Sequence, residues 1–154
     1  MKTLAALAAC LSIALAGCVP MAMFAQGGGS AYRGYHQRLG VYVSSSEVNT
    51  LCLSPGLRLA IWDFEGHFGK KVVMNSGYRT PWHNHDVGGA SQSYHTKCMA
   101  ADFFIPGVPT AKLVAYARQN SMVGGLGCYR GQRFIHIDVR DRPPGHKGPV
   151  TWGC

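Results

Sequence analysis

The sequence predicts an α+β fold: a small antiparallel sheet with helices packed on one side. Three observations predict it. Two segments carry apolar residues at helical spacing. Several short β-branched runs lie between glycine and proline breaks. No internal repeat runs through the 154 residues, and a chain of that length holds one compact domain. Hydrophobic residues make up 47% of it, enough for a real core, and 20 glycines favour loops over a helical bundle.

The first segment reads as an export signal rather than part of the fold. Lys2 opens a short basic start, and Leu4 to Ala16 is an apolar run too short to span a bilayer. It ends in Leu15-Ala16-Gly17-Cys18, which resembles a bacterial lipobox, so residues 1–17 are expected to be a lipoprotein-type signal and Cys18 the lipidated residue. The alternative is an ordinary signal cut near Ala25. Val19 after the cysteine favours an outer-membrane anchor on the periplasmic side. Residues 18–46 then form a tether, with the flexible AQGGGS run, and an N-terminal arm with one short strand at Val41–Val43. The folded domain is expected at 47–154.

Export changes the meaning of the cysteines. Cys10 leaves with the signal, and Cys52, Cys98, Cys128 and Cys154 remain, an even set that suggests two disulfides with three possible pairings. No CxxC spacing supports a thiolate metal site. The formal charge is +8, about +7 once Lys2 is removed. Without a Lys/Arg run or basic-aromatic interleaving, nucleic acid is not expected as a partner, and the basic surface suits anionic polymers of the cell envelope.

Within the domain, Ser54-Pro55 is an N-cap followed by proline in the first turn, and Leu57, Ile61, Phe64 and Phe68 repeat at helical spacing, so 55–68 is a helix that Gly69 stops. Lys71–Asn75 reads as a strand ending at the turn Ser76-Gly77. Thr80–Gly89 reads as a loop. Met99–Ile105 is a strand broken by Pro106-Gly107, and Pro109–Gln119 is a second helix burying Leu113, Val114 and Ala117. Val123–Tyr129 enters another strand, and Phe134–Val139 alternates as a strand should. The Pro/Gly-rich tail after Asp141 ends at Trp152 and Cys154, stapled back onto the body.

Alternation on the strand FIHIDV puts Ile135, Ile137 and Val139 toward the core, and Phe134, His136 and Asp138 toward a cleft. His95 precedes the strand that carries Asp102. If those strands are neighbours, His95, Asp102 and His136 converge. Two imidazoles and one carboxylate suit Zn²⁺ and leave its fourth position for water, which is the catalytic rather than the structural pattern. The bland reading is that His95 caps a loop and His136 is a satisfied strand histidine.

SGYRT (76–80), VGGAxxSYH (87–95), the SxHxxxxAxD frame (93–102), GGLGCY (124–129) and FIHIDVR (134–140) occur together and in order. Over residues 47–140 the chain resembles the zinc D-Ala-D-Ala carboxypeptidase family, peptidoglycan metallopeptidases whose fold is shared with the hedgehog signalling domain. The resemblance implies that His95, Asp102 and His136 bind zinc. It implies that Arg79 orients substrate, its planar fork suiting a peptide carboxylate, and that Ser93 supports the site by hydrogen bonding. The function it implies is a zinc peptidase cleaving peptidoglycan stem peptides next to a D-amino acid, as a carboxypeptidase or an endopeptidase; separately, a monomer is expected. The alternatives are a zinc-containing module that binds peptidoglycan without turnover and a purely structural envelope lipoprotein.

Two departures stand out. Cys98 sits where the family has glycine, and a Cys98–Cys128 disulfide is the first pairing expected. Arg133 sits three residues before His136, where several relatives carry an acid, and it cannot serve as a base. Asp138 is then the expected catalytic base, or else a group that orients a metal ligand. Asp86 and Glu65 are remote substitutes, and His83 and His85 are expected to be exposed.

Overall fold

The computed structural model describes residues 30–154. The signal, Cys18 and most of the tether lie outside the described residues. The elements run β1 (His36–Arg38), β2 (Val41–Val43), α1 (Pro55–Phe68), β3 (Val73–Ser76), α2 (Pro81–Asp86), a 3-10 turn (Tyr94–Lys97), β4 (Ala100–Phe104), α3 (Thr110–Gln119), β5 (Gly125–Cys128), β6 (Ile135–Asp138) and β7 (Val150–Trp152).

All seven strands form one sheet in the order β1-β2-β3-β4-β6-β5-β7. The expected antiparallel sheet is corrected here to a mixed one. β2 runs parallel to β3, and β5 parallel to β7, while the remaining pairs are antiparallel. The reason is connectivity: a segment containing α1 separates β2 from β3, long enough for a parallel return.

α1 begins where Ser54 Oγ accepts the Leu57 N–H, and it buries Leu57, Ala60, Ile61 and Phe64. The Phe64 ring meets Phe103 of β4 edge-on at 5.1 Å and Tyr116 of α3 at 4.9 Å, so one side chain joins sheet and both long helices. Such aromatic pairs contribute roughly 1 kcal/mol each beyond area burial. Ala101, Phe103, Leu126, Ile135 and Ile137 supply the sheet side of the core. The expectation of helices on one side thus holds for α1 and α3.

α2 was expected as loop. Thr80-Pro81 repeats the Ser54-Pro55 start, and Thr80 Oγ1 accepts the His83 N–H, yet the helix has six residues and no apolar stripe to reveal it. Glu65, named above as a remote base, is held under α1 by Lys71 Nζ at 2.7 Å and the Val72 N–H at 3.1 Å. Asp86 is exposed on α2, as are His83 and His85.

Candidate metal centre

Strand parity builds the site. On β4, β6 and β5, the residues Ala101, Phe103, Ile135, Ile137 and Leu126 enter the core. Alternate positions therefore emerge on the opposite face. Register then aligns Ser76, Asp102, His136, Gly127 and Trp152 in one row across five strands. The 3-10 turn brings His95 to that row; Ser93 Oγ accepts the His95 N–H at its start.

His95 Nε2, Asp102 Oδ1 and His136 Nδ1 lie within 4.8 Å of one another, and all three residues are buried. The separations are 3.2 Å from His95 to Asp102, 2.9 Å from His136 to Asp102, and 3.1 Å between the two imidazoles. The outer partners decide the tautomers. His95 Nδ1 donates to the Gly77 carbonyl at 2.6 Å, so its proton is there. His136 Nε2 donates to Asp138 Oδ2 at 3.2 Å, so its proton is there. In the neutral rings, two nitrogen lone pairs and a carboxylate oxygen then converge with no hydrogen between them. Such a set repels itself unless a cation sits at its centre, and this donor set fits a divalent metal of the zinc type.

The remaining Asp102 oxygen, Oδ2, accepts Arg79 Nη2 at 2.8 Å, while Arg79 Nε donates to Ser76 Oγ. Burial pushes the Asp102 carboxyl up, but with no metal bound the facing His136 and His95 rings, once protonated, outweigh it by hydrogen bonds and charge and hold it well below the usual range. Burial also opposes a charged His136, yet Asp102 and Asp138 together raise its pKa. Asp138 is fully buried behind His136. The Arg140 N–H and Nε donate to its Oδ1, and Arg140 Nη2 to its Oδ2. Against burial, Arg140 and then His136 lower it to about 2.

The centre opens into a pocket of about 780 Å³. Arg79 and Ser93 line it. Asp138 does not, and Asp102 is the one carboxylate among its lining residues. Tyr94, Tyr129, Arg140 and Trp152 also line it and were given no role in the sequence reading. Tyr129 ends the GGLGCY motif one residue past β5, a signal that could have placed it. Burial and the charge of Asp102 push its phenol up to about 12, so it stays a hydrogen-bond donor. Arg140 stacks on Tyr94 at 4.2 Å and reaches the Trp152 ring at 5.4 Å.

The disulfides are Cys52–Cys98 and Cys128–Cys154. The expected Cys98–Cys128 pairing is therefore wrong. Cys98 ends the 3-10 turn beside the start of α1, where its carbonyl accepts the Ser54 N–H, whereas Cys128 lies on β5 next to β7. Cys98 also has φ +61, the left-handed conformation that glycine adopts freely.

The family model for peptidase M15 matches residues 37–138. The chain belongs to the peptidase M15 family. The M15 match takes in His95, Asp102 and His136 and stops before β7. Among curated M15-like relatives, the chain is 35% identical over 94 residues to the peptidoglycan L,D-endopeptidase MepK of Escherichia coli, covering 56% of this chain and 51% of that protein. It is 32% identical over 109 residues to the probable peptidoglycan L,D-endopeptidase MepK of Haemophilus influenzae, covering 65% and 54% respectively. The chain thus spans about half the length of the relatives it matches.

Proposed function

We propose that this protein is a zinc peptidase that hydrolyses peptidoglycan stem peptides next to a D-amino acid, with L,D-endopeptidase action favoured by the names of its relatives. The convergence of three unprotonated donors on one point, at the floor of an open pocket in an M15 chain, carries the reading. His95, Asp102 and His136 would hold the metal, which when bound supplies a Lewis acid and a water acidified toward neutral pH. Arg79 braces Asp102 Oδ2 and, lining the pocket, would offer its remaining guanidinium nitrogen to a substrate carboxylate. Ser93 fixes the turn that aims His95. Asp138 holds the proton on His136 Nε2 and so keeps Nδ1 available to the metal.

In this reading Asp138 is a positioning residue and not the base, because its buried carboxylate faces Arg140 and His136 rather than the pocket. The protein acts as a monomer in the periplasm, anchored to the outer membrane through Cys18. A Cys18→Ala variant should leave the membrane fraction and lose acyl-chain labelling. Unchanged labelling and partitioning would remove the anchor.

The second reading, a zinc-containing module that binds peptidoglycan without turnover, is favoured by one observation: Asp102 is the sole carboxylate lining the pocket. Mass spectrometry of purified muropeptides after incubation with zinc-loaded protein separates the two. Cleaved stems, absent with His136→Ala, are expected for the peptidase. Tight binding with intact stems would support the module.

A further inference from the structure

We propose that the C-terminal segment Val150–Cys154 is a stapled wall of this pocket, in which Trp152 contacts the substrate and the Cys128–Cys154 disulfide keeps it there. The proposal rests on the peptidase reading above and extends it to residues beyond the span matched by the family model.

Trp152 occupies the same register row as Asp102 and His136, and its ring centre is 5.0 Å from that of His136. The strand between them contributes Gly127 to the row, and any Cβ there would lie 2.7 Å from the indole. The row is therefore clear only because position 127 has no side chain. Gly153 follows at φ +68, and a Cβ on it would meet the Cys128 carbonyl at 2.1 Å. That turn delivers Cys154 to Cys128.

The strand itself is weakly held. β7 has three residues, is mostly exposed, and pairs only with β5 among the described strands. Such a short, exposed edge strand is weakly held unless it is tied. The disulfide supplies the tie one residue beyond the turn. Trp152 remains 38% exposed and lines the pocket together with Tyr129 and Phe134. An aromatic wall beside the metal centre takes an aliphatic group, here the side chain of a stem-peptide residue flanking the cut bond. Arg140, near the indole, is committed to Asp138 and adds no free cation to this wall.

Zinc content, kcat and KM on a purified muropeptide test the idea, in Trp152→Ala, Trp152→Phe, Gly127→Ala and the double Cys128→Ser/Cys154→Ser variant. Trp152→Ala should raise KM about tenfold, equivalent to about 1.4 kcal/mol. Its kcat and one-to-one zinc should hold, and Trp152→Phe should restore most of the affinity. Gly127→Ala and the double serine variant should raise KM similarly, and neither should add to Trp152→Ala when combined with it. An unchanged KM in Trp152→Ala, or effects that simply add, would overturn the wall. If the parent binds zinc and muropeptide but cleaves nothing, the peptidase reading fails instead. The dissociation constants of the same variants then decide the wall by the same pattern.

Discussion

The Nε2 proton of His136 faces Asp138, and Arg140 grips that carboxylate with its backbone N–H and two guanidinium nitrogens. Removing the charge should therefore act on the metal and not on the proton step. Asp138→Asn is expected to weaken zinc binding by roughly 10- to 100-fold, with activity returning in excess zinc. Activity that stays lost at full zinc occupancy would make Asp138 the base. The sign of its pH dependence also follows. Asp138 is lowered to about 2 in the folded protein, so its contribution to stability is complete above the ordinary carboxylate pKa near 4. It is lost as pH falls from there through 2, and amounts to roughly 2 kcal/mol at neutral pH. Acid unfolding of the Asp138→Asn variant, followed by circular dichroism, should lack that part of the loss. His136 is raised when no metal is bound, so protons compete with zinc as pH falls and zinc affinity should decline below neutrality.

Among the elements, the 3-10 turn that carries His95 is held at both ends, by Ser93 at its start and by the Cys52–Cys98 disulfide at its close. That bond spans 46 residues of sequence, and its loss should cost roughly 3 to 4 kcal/mol. Cys98 holds a left-handed conformation, so in a Cys52→Ser background Cys98→Gly should be more stable than Cys98→Ser by about 1 kcal/mol. Equal thermal midpoints would mean that the turn relaxes when the disulfide is gone. Elements with a strong local signature were legible in the sequence. α1 was readable to its ends from Ser54-Pro55, four apolar residues at helical spacing and Gly69. β6 was readable from the alternation of Ile135 and Ile137 with His136 and Asp138. β1 and β7 were not, because strands of three residues, exposed in β1 and mostly exposed in β7, carry no hydrophobic alternation. α2 lacked a buried stripe. The parallel pairs, the disulfide partners and the burial of Asp138 depend on long-range register, which short patterns do not encode.

For the whole molecule, a charge of +8 on 154 residues gives a long-range field that attracts anionic polymers and weakens with salt. Retention on intact peptidoglycan sacculi should fall as salt rises from 0.05 to 0.5 M, while KM for a small soluble muropeptide, set by contacts inside the pocket, should change less. Equal salt dependence for both would place the charge effect in the pocket itself. The sheet serves two media at once. One face packs α1 and α3 into a continuous apolar core, and the other carries a polar row that opens to solvent. The candidate metal centre thus sits on the sheet, with the turns and the proposed tail wall around it.

In the proposed centre His95 Nε2, Asp102 Oδ1 and His136 Nδ1 share one zinc ion. X-ray absorption spectroscopy of the zinc-loaded protein addresses it most directly. The expected result is one zinc per chain in a shell of two imidazole nitrogens completed by oxygen, lost in His136→Ala. A shell containing sulfur, or zinc that stays bound at full stoichiometry without His136, would contradict it.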